Sequence, residues 1–358
     1  MEFERLLAEF PKRDWQTDDA AGTARFAMIG LGWWTREEAM PAVAESDFCR
    51  TTVVVSGSAE KAEAVAEDHA TVEHGITYEA FHEGAVADAY DAVYICTPNS
   101  THPEYVETAA DLGKDVLCEK PMAATSDGAR RIVDICDGTD VTLMIAYRMQ
   151  TEPAIRRARD VIDAGLIGDP VQVHGHMSDP LPDLIPDPDQ WRLDPELSGG
   201  TTLVDIGLYP LNTTRFLLDR DPVGVFAQSF SEHEWFEGVD EHVSFQVEFE
   251  GGVSAVCTVS HNAYNASHLR VVGSEGEVTV EPVFFPWDDR GLTVRHGGSA
   301  STVTFDQRNQ MTEEFDYFAH CLITGTDPVA DGRHGLVDIE TIEALYESAE
   351  RGERIALA

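Results

Sequence analysis

The sequence predicts an α/β protein in two parts: a doubly wound parallel sheet, then an α+β domain with a large open mixed or antiparallel sheet. From Ala24 to Ala146, short strands that are apolar on both faces alternate with helix-length polar segments, as in a parallel sheet covered by helices. Further along, longer strands alternate apolar and polar residues, which is typical of a sheet with one covered face. We therefore expect an N-terminal extension (1–23), a doubly wound domain (24–147) and an α+β domain (148–358).

Each element follows from its local pattern. The first-domain strands are expected at Arg25–Ile29, Thr52–Val55, Ala92–Cys96, Val116–Cys118 and Val141–Ala146. The second-domain strands are expected at Val171–His174, Val243–Phe249 and Val253–Val259, with turns at Glu250–Gly252 and Ser274–Gly276. Second-domain helices are expected at Glu152–Ala164, Gly200–Leu218 and Leu336–Glu350.

The composition excludes several classes of partner. Acidic residues number 65 against 25 basic ones, the net charge is −40, and the acids are spread over the whole chain. This pattern favours a halophilic protein of a salt-saturated cytoplasm, where a Debye length of about 3 Å or less screens self-repulsion. No stretch offers the basic footprint that nucleic acids or anionic membranes need. We therefore expect that the protein binds neither nucleic acid nor membrane.

The localisation we expect is cytoplasmic. Residues 1–15 form no apolar run typical of a signal peptide or anchor, and no run approaches the ~20 apolar residues of a spanning helix. The six cysteines form no CxxC motif, which indicates buried free thiols in a reducing compartment.

A glycine-rich turn follows the first strand. Gly30 allows a tight turn, Gly32 lets backbone N–H groups approach a pyrophosphate, and Thr35 replaces the usual third glycine and is expected to cap the next helix. Leu31, Trp33 and Trp34 complete the turn, and the tryptophans either wall a cofactor or join the core. A plain glycine turn between strand and helix is the alternative.

The end of the second strand indicates which dinucleotide would bind. An NAD enzyme normally places a carboxylate there for the ribose 2′-OH, but this chain offers Ser56, Ser58 and Lys61. Hydroxyls and a cation suit the 2′-phosphate of NADP. The alternative is that Lys61 is a solvated helix residue.

Lysine is rare in this chain, which draws attention to Lys120. The chain has only four lysines, Lys12, Lys61, Lys114 and Lys120, and the last directly follows an apolar strand. A lysine kept where desolvation disfavours its charge indicates a chemical role. The alternative is a stem lying along the strand with the head in water.

Three further segments make a resemblance specific: Thr97–His102, Glu119–Pro121 and Gly199–Asn212. Together with the glycine turn they resemble the glucose-fructose oxidoreductase and inositol dehydrogenase (Gfo/Idh/MocA) family, from about Arg25 to the C-terminus. Within that family the chain resembles the haloarchaeal NADP-dependent D-xylose dehydrogenases. The resemblance implies a Rossmann domain for the first sheet.

The resemblance also implies roles for individual residues. Catalysis would fall to Lys120, Tyr209 and Asp205, and Tyr209 stands where many relatives carry His. The residues expected to bind the cofactor are Gly30, Leu31, Gly32, Trp33, Trp34, Ser56, Ser58, Lys61, Thr97, Pro98, Asn99, His102, Glu119, Lys120, Trp191 and Arg192. The residues expected to bind substrate are Lys120, Tyr147, Arg148, His176, Asp205 and Tyr209.

The residues themselves support such a site. Asp205 and Tyr209 are four apart on a helical stretch, so they share a face that can close over the strand ends near Lys120. Each alone could instead be structural, Asp205 as a cap and Tyr209 as a core residue. His176 and His174 share a strand face like a zinc pair, but no third ligand has suitable spacing, so we expect no metal and a sheet-surface or substrate contact.

The expected activity is oxidation of an aldose, with D-xylose favoured, at C1 to the lactone with NADP. Glucose or dihydrodiol dehydrogenases, an oxidoreductase that retains its nucleotide, and a non-catalytic NADP-binding regulator are the alternatives. A homodimer or homotetramer through the open sheet is expected.

Overall fold

The structure is a computed structural model that describes residues 13–17, 21–305 and 307–357. It divides into two compact units. The first combines Asp14–Arg148 with Asn309–Leu336, and the second combines Met149–Arg308 with Val337–Ala358. Most of the predicted N-terminal extension, residues 1–12 and 18–20, lies outside the described residues.

A parallel sheet forms the centre of the first unit. Within the described chain its six strands are β1 (Ala24–Ile29), β2 (Cys49–Ser56), β3 (His74–Thr77), β4 (Ala92–Ile95), β5 (Asp115–Glu119) and β6 (Leu143–Ala146). Their order is β3-β2-β1-β4-β5-β6, so the strand order reverses between β1 and β4. In such sheets a ligand binds outside the carboxyl ends of the strands at this reversal. The predicted Rossmann sheet is confirmed.

Helices cover this sheet, and one of them comes from late in the sequence. The helices of the first unit are Met40–Ala44, Ala59–Asp68, Tyr78–His82, His102–Asp111, Ser126–Asp137 and Gln310–Thr324, with a π-helical turn at Thr35–Ala39 and 3₁₀ turns at Ala87–Ala89 and Asn99–Thr101. Phe315 of helix 310–324 packs edge-on against Phe26 of β1, with ring centroids 5.2 Å apart. The same ring lies 5.0 Å from that of Tyr94 on β4.

A mixed sheet forms the second unit. Within the described chain its nine strands are β7 (Pro170–Pro180), β8 (Pro222–Phe230), β9 (His242–Phe249), β10 (Ser254–Ser260), β11 (Asn262–Gly273), β12 (Gly276–Glu281), β13 (Gly291–His296), β14 (Ser299–Val303) and β15 (Ile355–Ala356). The order is β14-β13-β12-β11-β7-β10-β9-β8-β15, and β7 and β10 run parallel. The predicted large open mixed sheet is confirmed.

One face of this sheet is covered by helices. The helices of this part of the chain are Pro153–Asp163, Leu181–Leu184, Pro195–Ser198, Leu208–Leu218 and Gly332–Arg351, with a π-helical turn at Leu203–Gly207 and 3₁₀ turns at Arg148–Gln150, Trp191–Leu193, Glu234–Phe236 and Glu250–Gly252. A Cβ on Gly175 of β7 would lie 2.8 Å from Pro210, so helix 208–218 packs closely on this face. On the other face Val256 and Phe230 are about half exposed.

A buried ion pair stabilises the start of helix 153–163. Glu152 Oε2 accepts a hydrogen bond of 3.0 Å from the backbone N–H of Ile155 and so caps the helix. Its other oxygen accepts one of 2.8 Å from Arg290 Nε, and both side chains are fully buried. Because removing one partner would leave a buried charge uncompensated, the pair ties this helix firmly to the sheet.

Within the described residues, no helix combines the length and the apolar character needed to cross a membrane.

Candidate functional site

The glycine turn after β1 requires a glycine at its first position. Gly30 has φ of +92°, and a Cβ there would lie 2.2 Å from the carbonyl oxygen of Cys96. Since β1 and β4 are neighbours, this contact packs the turn against the loop that follows β4. Among the described residues, no heavy atom lies within 4 Å of where a Cβ on Gly32 would be. That open space is where a phosphate group can approach the backbone.

Thr35 has a different role from the one predicted. Its buried hydroxyl donates a hydrogen bond of 2.6 Å to the carbonyl of Gly30, and the π-helical turn Thr35–Ala39 has no capping side chain among the described residues. The prediction that Thr35 is the N-cap was wrong because the hydroxyl holds the turn closed. The partial positive charge at this helix start is therefore not neutralised by a side-chain cap.

The two tryptophans and Arg148 form a layered group next to this turn. The rings of Trp33 and Trp34 lie 6.1 Å apart, and the guanidinium of Arg148 lies over Trp34 at 5.0 Å from its centroid. Trp33 is 58% exposed, which makes it the ring available to wall a ligand. Leu31 is buried beneath the turn.

The end of β2 carries hydroxyls and two cations. Ser58 Oγ caps helix 59–68 by accepting a hydrogen bond of 3.2 Å from the backbone N–H of Lys61, and Ser56 Oγ accepts one of 3.3 Å from Ser58. Partial burial, and then the charge of Arg36, lower the pKa of Lys61. The sequence prediction did not include Arg36, although a basic residue one turn after the glycine motif could have indicated it as a phosphate-binding residue.

His102 ties together the loops after β4 and β5. Its ring is fully buried, with Nε2 at 2.9 Å from the carbonyl oxygen of Thr97 and Nδ1 at 3.1 Å from that of Pro121. Burial lowers the pKa of His102 to about 4, so the ring is neutral at neutral pH and donates its single N–H to one of the two carbonyl oxygens. The histidine fixes the loop Thr97–Asn99, in which the Asn99 side chain is buried.

Glu119 and half-buried Lys120 lie at the end of β5. Glu119 Oε1 accepts a hydrogen bond of 2.5 Å from the hydroxyl of Tyr94, and Oε2 accepts one of 3.1 Å from the backbone N–H of Lys120. The Lys120–Pro121 peptide is cis. Two hydrogen bonds thus fix the Glu119 carboxyl, which in turn holds the backbone of Lys120.

A second buried carboxyl group, Glu314, was missed in the sequence. It comes from helix 310–324, is fully buried, and has no hydrogen-bond partner among the described residues. Burial, and then the charge of Glu119, raise the pKa of Glu314 well above its ordinary value, while Arg148 opposes the shift. Burial also raises the pKa of Glu119. Burial therefore favours the neutral form of Glu314, which interacts with the Glu119 carboxyl.

In the second unit, Asp205 lies at the centre of a charged cluster. Its Oδ2 is 3.3 Å from Arg192 Nε and 3.4 Å from His261 Nε2. Arg192 lies over the ring of Trp191 at 4.6 Å. Asp205 is on the π-helical turn 203–207, and Tyr209 is on the helix that continues it, with its ring 5.7 Å from that of Phe284.

Sequence reasoning also missed Asp179 and His261. His261 Nδ1 lies 2.7 Å from Asp179 Oδ1, and the imidazole is 1% exposed. The two residues follow the paired positions Ser178 and Ser260 of the parallel strands β7 and β10. Polar residues at the ends of two long alternating strands were the available signal, but the parallel pairing could not be read from the sequence.

His176 lies on the other face of the sheet. Its Nδ1 is 2.8 Å from Thr258 Oγ1 and its Nε2 is 3.0 Å from Ser178 Oγ. Residues 173, 175 and 177 point to the helix-covered face, so position 176 points away from helix 208–218. His176 therefore stays outside the cluster around Asp205.

The structure thus brings the predicted residues into two groups. The first unit holds the glycine turn, Ser56, Ser58, Lys61, Thr97, Pro98, Asn99, His102, Glu119, Lys120, Tyr147 and Arg148. The second unit holds Trp191, Arg192, Asp205 and Tyr209. Tyr147 is buried with its ring 5.8 Å from His334. Closure of Asp205 and Tyr209 over Lys120 stays a prediction.

Among the described residues, no group of three or more His, Cys, Asp or Glu side chains is arranged to hold a metal.

Comparison with known proteins places this arrangement in a family. Residues 24–147 match the model of an oxidoreductase family with an NAD-binding Rossmann fold, and residues 155–279 match the GFO/IDH/MocA C-terminal domain. The crystal structure of aldose-aldose oxidoreductase from Caulobacter crescentus is 32% identical, covers 94% of this chain and 100% of that one, and superposes with a TM-score of 0.87.

Two haloarchaeal proteins are similar over nearly the whole chain. D-xylose 1-dehydrogenase [NADP(+)] of Haloarcula marismortui is 59% identical over 359 residues, covering 100% of both chains. D-xylose 1-dehydrogenase (NADP(+)) 2 of Haloferax volcanii is 32% identical, covering 93% of this chain and 99% of the relative. The chain belongs to the GFO/IDH/MocA family of oxidoreductases.

Proposed function

We propose that this chain is an NADP-dependent aldose 1-dehydrogenase that oxidises D-xylose at C1 to its lactone. The observation that carries the proposal is the 59% identity, over the full length of both chains, to a protein named for that activity. The glycine turn, Lys120, Asp205 and Tyr209 are the parts such an enzyme needs, and this chain has each of them.

The residues around the glycine turn fit NADP. Gly30 permits the close approach of backbone, and the space beside Gly32 can take the pyrophosphate. Lys61 and Arg36 bring positive charge to the end of β2, where the 2′-phosphate would lie. The exposed ring of Trp33 can cover the nucleotide. Bound nicotinamide would supply the hydride acceptor.

Side chains of the protein would accept the hydroxyl proton and stabilise the charge that develops on the sugar oxygen. Oxidation at C1 removes the hydroxyl proton, and Lys120 and Tyr209 are the two groups we assign to accept it. Glu119 would hold the Lys120 backbone in place through its hydrogen bond. Asp205 would accept a hydrogen bond from a sugar hydroxyl and so orient the ring.

The activity test uses the full chain in molar KCl. The purified protein is mixed with NADP and a panel of aldoses and dihydrodiols, and absorbance of reduced nicotinamide is followed. We expect continuous reduction, fastest with D-xylose. A higher kcat/KM for glucose or a dihydrodiol would reassign the substrate. Reduction limited to one equivalent per site would indicate a retained nucleotide, and nucleotide binding without any reduction would indicate a regulator.

We propose a halophilic, cytoplasmic enzyme that assembles as a homodimer or homotetramer. All six cysteines are free thiols, four of them buried, which fits a reducing compartment. The open face of the nine-stranded sheet in the described chain carries Val256 and Phe230, apolar side chains that a second copy could cover. Light scattering on the native protein and on Val256→Glu would test this: a monomeric native protein contradicts the assembly.

A further inference from the structure

His261 is held between two carboxylates in the second unit. Its Nδ1 lies 2.7 Å from Asp179 Oδ1, and its Nε2 lies 3.4 Å from Asp205 Oδ2. The first contact is a hydrogen bond, and the second is an ion-pair distance without a formed hydrogen bond. A neutral imidazole that donates Nδ1–H to Asp179 would turn the Nε2 lone pair toward the Asp205 carboxylate, whereas the imidazolium presents an N–H and a positive charge there. The arrangement therefore favours a protonated ring.

Of the other charges near the ring, Arg192 is a second cation and opposes protonation, so the two carboxylates must outweigh it. Arg192 Nε lies 3.3 Å from the same Asp205 oxygen. Glu241 contacts His261 through its backbone, accepting a hydrogen bond of 3.1 Å from the His261 N–H. The Glu241 carboxylate is occupied by Asn262 Nδ2 at 2.6 Å and lies 3.3 Å from His242 Nε2. Burial lowers the pKa of His261. Asp179, and then Asp205, raise it by more than burial lowers it, and the resulting pKa is about 9.

We propose that His261 is a positioning residue for the sugar-binding step, an imidazolium that joins Asp179 to Asp205 and fixes the Asp205 carboxylate in its ionised form and orientation. This inference rests on the proposed function, in which Asp205 meets the sugar. Arg192 and His261 both contact Oδ2 of Asp205, so together they restrict rotation of that carboxylate. The imidazole ring is what links Asp179 to Asp205 in this arrangement.

The kinetic consequence is a dependence of sugar binding on pH. While His261 is protonated, Asp205 is held as an acceptor and the KM for D-xylose stays low. Once the ring loses its proton, this restraint is lost and the KM for D-xylose rises. The KM for NADP should change less than the KM for D-xylose, because Asp179 and Asp205 are not assigned to the nucleotide and only Arg192, which contacts Asp205, is.

The first test compares three variants by steady-state kinetics between pH 6 and pH 10 in molar KCl. His261→Gln should raise the KM for D-xylose about tenfold, the scale of one charge-assisted hydrogen bond, and remove its alkaline rise. Asp179→Asn keeps an acceptor for Nδ1 but removes a charge, so it should move the alkaline rise to lower pH. His242→Gln is the matched control, because that half-exposed ring bonds Ser260 and Glu241 and should change neither quantity.

The second test follows the imidazole directly. With ¹⁵N-labelled histidine, NMR of the resting full-length protein should show His261 protonated on both nitrogens at pH 7, titrating near pH 9. The midpoint should fall in Asp179→Asn and in Asp205→Asn. A neutral ring at pH 7, or an unchanged KM for D-xylose in both His261→Gln and Asp179→Asn, would overturn the proposal. If no aldose is oxidised the proposed function fails, yet the titration still decides the charge of the ring.

Discussion

At the scale of single residues, Lys120 has the most closely defined surroundings. Its backbone N–H donates to Glu119, which is itself fixed by Tyr94 and interacts with Glu314, whose pKa is raised well above its ordinary value by burial. A neutral acid here matters because a second full negative charge would stabilise the protonated amine and hinder proton acceptance.

We expect Lys120→Ala to lower kcat by at least about 100-fold, the lower end for loss of an acid–base group, with NADP affinity preserved. Single-turnover kinetics and nucleotide titration measure the two quantities. Lys114→Ala is the matched control, since that lysine donates to the carbonyl of Tyr90 and should affect neither. Near-normal kcat for Lys120→Ala would remove this lysine from the mechanism.

Tyr209→Phe separates two roles for the phenol. A loss of kcat comparable with that of Lys120→Ala would assign proton transfer to Tyr209, and a rise in KM alone would assign it to orienting the sugar. The change keeps the ring packed beside Phe284, so stability should be little affected. We expect the larger loss, because the proposed mechanism assigns proton acceptance to the phenol together with Lys120.

We expect the choice of cofactor to depend on two exposed cations, Lys61 and Arg36. We expect native kcat/KM to favour NADP over NAD about tenfold in molar salt, a modest ratio because an exposed cation–phosphate pair is screened. Lys61→Ala and Arg36→Ala should each reduce the ratio. Arg50→Ala, at the far end of β2, removes an exposed cation without changing the ratio. A native ratio below one would contradict this interpretation of the β2 end.

At the scale of elements, helix 310–324 carries an ionisable group whose burial makes stability depend on pH. The pKa of Glu314 is raised in the fold, so its contribution to stability is fully present below the ordinary pKa of about 4.5 and is lost as the pH rises through the raised value. A pKa that differs by one between the folded and unfolded chain corresponds to about 1.4 kcal/mol of unfolding free energy, or about 2 °C in Tm for a chain of this length.

The stability of Glu314→Gln relative to the native protein should therefore increase as the pH rises. The difference in Tm, variant minus native, should be more positive at pH 8 than at pH 5, because the amide cannot ionise. Differential scanning calorimetry in molar KCl measures the Tm of both proteins at both pH values. Exposed Glu67→Gln is the control and should show no such trend. A difference in Tm that is independent of pH would show that Glu314 is ionised in the fold.

The elements that the sequence predicted are those with a strong local pattern. The apolar strands β1, β4 and β5 and helix 153–163 were found because their burial repeats along the chain. Strand β3 was missed because none of its four residues is fully buried. Thr35 was assigned the wrong hydrogen bond because capping is local, whereas the Gly30 carbonyl competes for the same hydroxyl.

The missed site residues are those placed by distant pairing. Glu314 reaches Glu119 only because helix 310–324 packs on the first sheet, and Asp179 reaches His261 only because β7 and β10 run side by side. No residue pattern close to Glu314 or His261 in the sequence indicates these partners. Motif spacing can therefore identify Lys120, Asp205 and Tyr209 as candidates, but not the groups that orient them.

At the scale of the whole molecule, the charge of −40 predicts that stability depends on salt. In dilute buffer the acids repel one another over about 10 Å, and in 1 M salt over about 3 Å. We expect Tm to climb steeply as KCl rises to molar concentrations, which thermal scans can measure. A comparison of KCl with an equal concentration of uncharged osmolyte separates screening from exclusion effects, and a Tm indifferent to KCl would contradict the halophilic interpretation.

The packing of Phe315 on Phe26 has a consequence for biosynthesis. At about 5–20 residues per second, a ribosome needs about 15–60 s to pass from the first of these rings to the second. During that interval the early strands have emerged without the helix that completes their core. The nascent chain should thus stay sensitive to protease until its last segment is released, and a fragment ending at residue 148 should be a client for chaperones instead of a folded domain.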